Sequence, residues 1–286
     1  MIKSKGQKAF NIFNIIFLSL VSLAFLLPYW MIVAASFSDE LRLIREGYGL
    51  WFKSFDISAY RFIFTSNNLL LRSIWNSVQL TLFGSLATII VTGLYAYPLS
   101  RPYLRGKKFF SIFMLIPFLF SGGLIPYFMV VSEFFYNSML AIIVPGSFAT
   151  WYAILMRNYF MSIPESLEEA AKLDGASDIV VVVRVILPLS KPIIATIVLY
   201  AAVSYWNNWV GPLLFFEDKD KYPLQYFIQQ IMTSVNSIYP STGGGLQPVE
   251  SVKMACVVVG SLPMILIYPF LQKYFIQGMT LGSVKE

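Results

Sequence analysis

SIPESLEEAAKLDGASDIVVVVRVILPLSKP, residues Ser162–Pro192, is a charged, compact segment set between two long apolar runs. Ser162 and Glu165 have the S-x-x-E spacing of a capping box, and Pro164 suits a first helical turn, so the spacing predicts a short helix beginning here. Ile163, Leu167, Ala170 and Ala171 would share one face of it, and Glu165, Glu168, Glu169 and Lys172 the other. Asp174-Gly175 reads as a stop followed by a sharp turn, because glycine enters the left-handed conformation without steric cost. The expected product is a helical knob of about three turns, ~15 Å long, presenting acids and small residues. In a membrane protein such a knob grips a soluble partner.

The surroundings are those of a membrane protein. Of 286 residues, 57% are hydrophobic and only 13% charged, and the mean hydropathy is +0.67, far too apolar for a soluble domain of this length. Apolar runs at about Phe10 to Phe37, Ile74 to Leu99, Phe109 to Val131, Met139 to Met156, Ile193 to Phe216 and Met254 to Phe275 each approach the ~20 residues that cross a bilayer. The expected fold is an all-α, six-span chain forming a single transmembrane domain over residues 1–286. Lys3, Lys5 and Lys8 before the first run, and Ala34-Ala35-Ser36 after it, resemble a signal peptide. The run is longer than a signal h-region, so a retained anchor with its basic end in the cytoplasm is the expectation.

Charge sets the orientation. The short loop after the second span carries Arg101, Arg105, Lys107 and Lys108, whereas Ser132–Ser138 carries only Glu133, which places both termini and the Ser162–Pro192 knob in the cytoplasm. External loops are then expected at about residues 38–73 and 217–253, with the internal coupling loop at about 158–192.

Several chemistries are excluded. Without histidine, and with a single cysteine, Cys256, in an apolar run, the chain can assemble neither a histidine acid/base site nor a Cys/His metal cluster. The one Gly-Lys pair, Gly106-Lys107, lacks the flanking residues of a phosphate-binding loop. The chain is therefore expected to be non-catalytic and to bind no cofactor or metal. Its +6 charge belongs to cytoplasmic loops and gives no support for nucleic-acid binding. Ionisable residues are nearly absent from the spans, which opposes a self-powered secondary carrier. The aromatic and amide cluster Tyr205, Trp206, Asn207, Asn208 and Trp209 has two readings, an interfacial anchor or a sugar-contacting part of a pathway. Asn76, near the outer end of the second span, is a candidate of the second kind. Ser241-Thr242-Gly243-Gly244-Gly245 reads as an external turn that is also a candidate contact for a soluble partner.

Glu169-Ala170-Ala171, then Asp174-Gly175, then Val185, Leu187 and Pro188 resemble the EAA loop of ABC importer permeases: EAA, three residues, Gly, nine residues, Ile, one residue, Leu-Pro. Val185 is the one departure. Met156-Arg157-Asn158-Tyr159-Phe160, Ile163-Pro164-Glu165, Asp174-Gly175-Ala176, Trp206-Asn207-Asn208-Trp209, Tyr222-Pro223-Leu224-Gln225 and Gln277 to Lys285 narrow the likeness to the carbohydrate-uptake branch, similar to the maltose permeases. Ser121-Gly122-Gly123-Leu124-Ile125-Pro126 resembles the subgroup for oligosaccharides released from complex plant polysaccharides.

The resemblance implies a type I importer in the bacterial cell membrane. Two permeases, usually different homologues, form the pathway; two ATPase subunits, which hold ATP and Mg, dock below; an extracytoplasmic solute-binding protein delivers the oligosaccharide. It further implies that Glu165, Glu168, Glu169, Ala170, Ala171, Asp174, Gly175, Leu187 and Pro188 couple to the ATPase, with Glu169 holding a basic group and Pro188 ending a second short helix. The β-branched run Ile179 to Val183 prefers strand, but an unpaired strand would leave its backbone groups unsatisfied, so helix is expected there too. A permease for another solute, such as a peptide, is the competing reading.

Overall fold

The computed structural model describes residues 5–52, 54–65, 69–238 and 249–283. The Ser241–Gly245 turn lies outside them. The chain is helical nearly throughout: α1 (Lys5–Ser36), α2 (Glu40–Glu46), α3 (Ser58–Thr65), α4 (Leu69–Ser100), α5 (Lys107–Leu119), α6 (Leu124–Phe135), α7 (Leu140–Gly146) and α8 (Thr150–Ser162). There follow α9 (Ser166–Leu173), α10 (Asp178–Val181), a π-helical turn (Val182–Ile186), α11 (Leu187–Leu189), α12 (Lys191–Trp206), α13 (Val210–Phe215), α14 (Leu224–Ile238) and α15 (Val249–Ser283). Among the described residues the extended pairing is one isolated bridge, Ser38 to Phe55.

Three helices are long and apolar enough to cross a membrane alone, in α1, α4 and α15, and three bent pairs bring the number to six if each pair is one span. The expected spans at Phe109–Val131 and Met139–Met156 are therefore not straight. α5 meets α6 at 111° and α7 meets α8 at 46°. At the first bend Gly123 has φ +89°, a conformation that side chains with a Cβ rarely adopt. The expected fifth span is corrected more strongly. Its helix, α12, stops at Trp206, and Asn207-Asn208-Trp209 lies in a break before α13.

Two compact units divide the chain, Met1–Leu70 with Gln230–Pro263, and Leu71–Gln229 with Met264–Glu286. In the first, Phe10, Phe13, Leu20 and Phe25 of α1 are exposed, apolar surface that suits lipid or a partner helix. The carboxylate of Glu40, itself buried, accepts from the backbone N–H of Glu250 (2.8 Å) and Ser251 (2.9 Å) and from the Ser251 hydroxyl (2.8 Å). It thereby satisfies donors that the first turn of α15 cannot pair internally, and sits where the helix dipole favours an anion.

In the second unit, apolar clusters tie the helices together. Ala96 of α4, Met156 and Phe160 of α8, Val181 and Ile186 of the coupling segment, and Ile193 and Ile197 of α12 form one. Leu80 of α4, Ala141 and Ile142 of α7, Ala201 and Tyr205 of α12 and Phe215 of α13 form another.

Candidate functional site

The coupling loop starts later than its sequence suggests. Ser162 ends α8, with its hydroxyl donating to the Tyr159 carbonyl (2.7 Å) instead of capping a new helix. Ile163 is extended, at φ −80° and ψ 123°, as a residue before proline tends to be. α9 thus begins at Ser166, without a side-chain cap from Glu165. The capping-box expectation is corrected: the helix has 8 residues, about 12 Å.

Its end conforms to expectation. Gly175 has φ +85°; its N–H donates to the Lys172 carbonyl (3.0 Å) and that of Ala176 to the Ala171 carbonyl (3.0 Å). These are the two bonds of a Schellman cap, which needs a left-handed residue at this place. Across the turn Lys172 pairs with Asp178 at 2.8 Å, a bond that holds the exposed lysine above its ordinary pKa.

The segment Asp178–Leu189 is helical, as expected over the β-branched run, but Val182–Ile186 is a π turn. Pro188 has no N–H to give the Arg184 carbonyl, and the Leu187 N–H bonds Val182, five residues back, so the turn widens just before the proline. Val181 and Ile186 are buried whereas Ile179 and Val183 are exposed. The helix therefore stands half in the apolar cluster and half out. After Ser190 the chain bends by 78° into α12, with Pro192 in its first turn.

Which residues face out differs from the helical-wheel expectation. Glu165, Glu169, Asp174, Ala170 and Leu167 are exposed, Ala171 is half-buried, and Leu187 and Pro188 are exposed on α11. Glu168 is buried, and is the acid for which the solvated face is corrected. It forms an ion pair with Arg101 and accepts from the Tyr97 hydroxyl (3.3 Å). Arg101, counted in the sequence only as a loop charge, is itself buried.

The second candidate region also divides. Tyr205 and Asn208 line a cavity of about 210 Å³ together with Thr88, Tyr127, Tyr152 and Ser204. Among the described residues its walls carry no charged side chain. Asn208 Oδ1 accepts from the Gly211 N–H (2.9 Å), an N-terminal cap on α13. Asn207 is exposed and donates to the Val203 carbonyl (3.0 Å). Trp206 is buried and Trp209 exposed; neither lines the cavity. Asn76 is elsewhere, donating to the carbonyls of Asp220 (2.7 Å) and Tyr222 (3.3 Å), where it fixes a turn. Tyr127, Tyr152 and Ser204 gave no signal in the sequence beyond being polar residues in apolar runs.

The family model described as "Binding-protein-dependent transport system inner membrane component" matches residues 89–281. The chain is 36% identical to Protein LplC of Bacillus subtilis (strain 168) over 290 residues, 100% of this chain and 98% of the relative. It is 38% identical to the polygalacturonan/rhamnogalacturonan transport system permease protein YtcP of the same organism, over 94% of this chain and 96% of the relative. In three dimensions it resembles a chain from the crystal structure of a bacterial ABC transporter involved in the import of the acidic polysaccharide alginate. That likeness has a TM-score of 0.81 and 30% identity, and covers 96% of this chain and 99% of the other.

Proposed function

Because the chain belongs to the family of binding-protein-dependent transport system inner membrane components, we propose that it is the permease subunit of an ATP-driven importer of oligosaccharides from complex polysaccharides. It forms half of a translocation pathway with a second, homologous permease. Two ATPase subunits carry ATP and Mg, this chain binds neither, and an extracytoplasmic solute-binding protein supplies the sugar. Both termini are cytoplasmic. The relatives support the substrate class, since polygalacturonan, rhamnogalacturonan and alginate appear in the names of well-covered neighbours.

The observation that carries the coupling role is α9 itself. Glu169 and Ala170 are exposed on a short helix closed by the left-handed turn at Gly175, the form of a knob that enters a cleft on another protein. Glu169 holds a basic group of the ATPase there, with Glu165, Asp174, Leu187 and Pro188 on the exposed surface around it. Within the membrane, Tyr205 and Asn208 are the residues assigned to the pathway, because they share a cavity of neutral phenol, hydroxyl and amide groups suited to sugar rings and their hydroxyls.

The test is reconstitution in liposomes with the partner subunits, measuring ATP-dependent uptake of a polygalacturonan digest. Glu169→Lys reverses the charge at the docking contact, and loss of one partner of a buried interfacial pair costs roughly 3 to 5 kcal/mol. Weakened co-purification of the ATPase and lost uptake are expected. Normal assembly and uptake in this variant would remove the docking role of Glu169.

A further inference from the structure

Taking the coupled-permease reading as its premise, we propose that Arg101 and Glu168 are a positioning pair that transmits movement of the coupling helix α9 into the second span, α4. Glu168 then works inside this chain and not at the ATPase surface. Arg101 is the first residue past α4, and its side chain is 1% exposed; that of Glu168 is 6% exposed. The guanidinium touches three elements at once. It pairs with Glu168 on α9, donates through Nη1 to the Phe160 carbonyl on α8 at 3.2 Å, and lies 5.1 Å over the Tyr97 ring of α4. The Tyr97 hydroxyl reaches the second oxygen of the same carboxylate. Arg157 of α8 adds a bond from Nε to the Leu99 carbonyl at 3.1 Å.

Much of the remaining contact beneath the loop is apolar, with the Tyr159 hydroxyl on the Leu189 carbonyl at 3.0 Å and Lys172 over the Tyr103 ring as further polar ties. Apolar packing is non-directional, so helices held by it alone can slide and rotate. A buried carboxylate with one oxygen paired to Nη2 of a guanidinium and the other accepting from a phenol permits little of either, since both charges lose their partners if the angle changes. Consecutive residues on a helix point ~100° apart. Adjacent Glu168 and Glu169 therefore divide the work: the buried acid fixes α9 to α4, and the exposed one meets the ATPase.

The test uses the fully assembled transporter in liposomes, with a polygalacturonan digest as the probe, and reads three quantities: ATPase retained, ATP hydrolysed and sugar taken up. Glu168→Gln and Arg101→Met are expected to retain the ATPase and its hydrolysis while uptake per ATP falls about fivefold or more, the lower end of ordinary coupling between sites. Reversing the pair, Arg101→Glu with Glu168→Arg, is expected to restore much of that ratio, which a purely structural role would not require. An unchanged ratio in Glu168→Gln overturns the proposal, and so does loss of the ATPase with a normal ratio in the complexes that remain, since that would return Glu168 to the docking surface. Should the single variants fail to insert, the reversed pair decides: a near-normal ratio supports the proposal and a low one in an assembled complex overturns it. Failure of the unmodified complex to couple uptake to ATP would instead sink the permease reading itself.

Discussion

A Cβ placed on Gly84 would lie 2.6 Å from Cζ of Tyr205. The phenol ring of α12 therefore occupies the space that any side chain on this turn of α4 would need. A Cβ on Gly146 of α7 would approach the same tyrosine's hydroxyl to 2.8 Å, so the ring is seated between two glycines on different helices. Its hydroxyl is 3.4 Å from Thr88 Oγ1, beside the cavity.

Gly84→Ala is accordingly expected to lower thermal stability in detergent by about 1 to 3 kcal/mol, the ordinary cost of overpacking. Tyr205→Phe should not relieve it, because the ring carbons themselves are in the way. Tyr205→Leu in the Gly84→Ala background should. A Gly84→Ala protein that melts like the unmodified chain would show that α4 and α12 part easily at this point.

Gly175 is sensitive for the opposite reason. Nothing lies within 4 Å of a Cβ built there, yet its φ is +85°. Gly175→Ala should cost on the order of 1 kcal/mol and Gly175→Val more, purely through backbone conformation. Gly175→Asn should be nearly neutral, since asparagine tolerates this region. Equal melting temperatures for the alanine and asparagine variants would contradict this ordering.

Glu40 offers a third measurement. Its carboxylate accepts three hydrogen bonds at the start of α15, so Glu40→Ala strands buried donors at a cost of about 2 to 3 kcal/mol. Glu40→Gln keeps acceptor capacity on one oxygen and should fall between. Thermal unfolding of the detergent-solubilised protein reads the order directly, and an unchanged alanine variant would mean that water replaces the cap.

These residues also show what the sequence could and could not disclose. The stop at Gly175 was legible because it is local: an acid, a glycine and a change of periodicity lie side by side. The burial of Glu168 was not, because its partner Arg101 is distant along the chain, and a helical wheel sorts residues only by polarity. The failed capping box at Ser162 is a case of competing local chemistry. The hydroxyl found the Tyr159 carbonyl, and Pro164 kept its predecessor extended. Hydropathy gave the membrane spans but could not locate their bends, since the few polar and glycine residues in the breaks at residues 120–123 and 147–149 are averaged into windows of ~20 mostly apolar residues. It missed the end of α12 at Trp206 for the same reason.

That break makes the last prediction asymmetric. Asn207 and Asn208 do not project from one continuous helix. Asn207 closes α12 and bonds back to Val203, in the open, whereas Asn208 caps α13 and lines the cavity. Asn207→Leu should therefore leave sugar uptake close to normal. Asn208→Leu loses both the cap and the amide in the cavity, and should lower uptake about threefold to tenfold, the worth of a neutral hydrogen bond or two. Asn208→Asp separates the two roles, because a carboxylate still accepts from the Gly211 N–H while losing the amide donors. It should keep its melting temperature and yet transport poorly, and uptake of neutral against acidic oligosaccharides would show whether the new charge matters. Normal uptake in both Asn208 variants would remove Asn208 from the pathway and leave it as the cap of α13 alone.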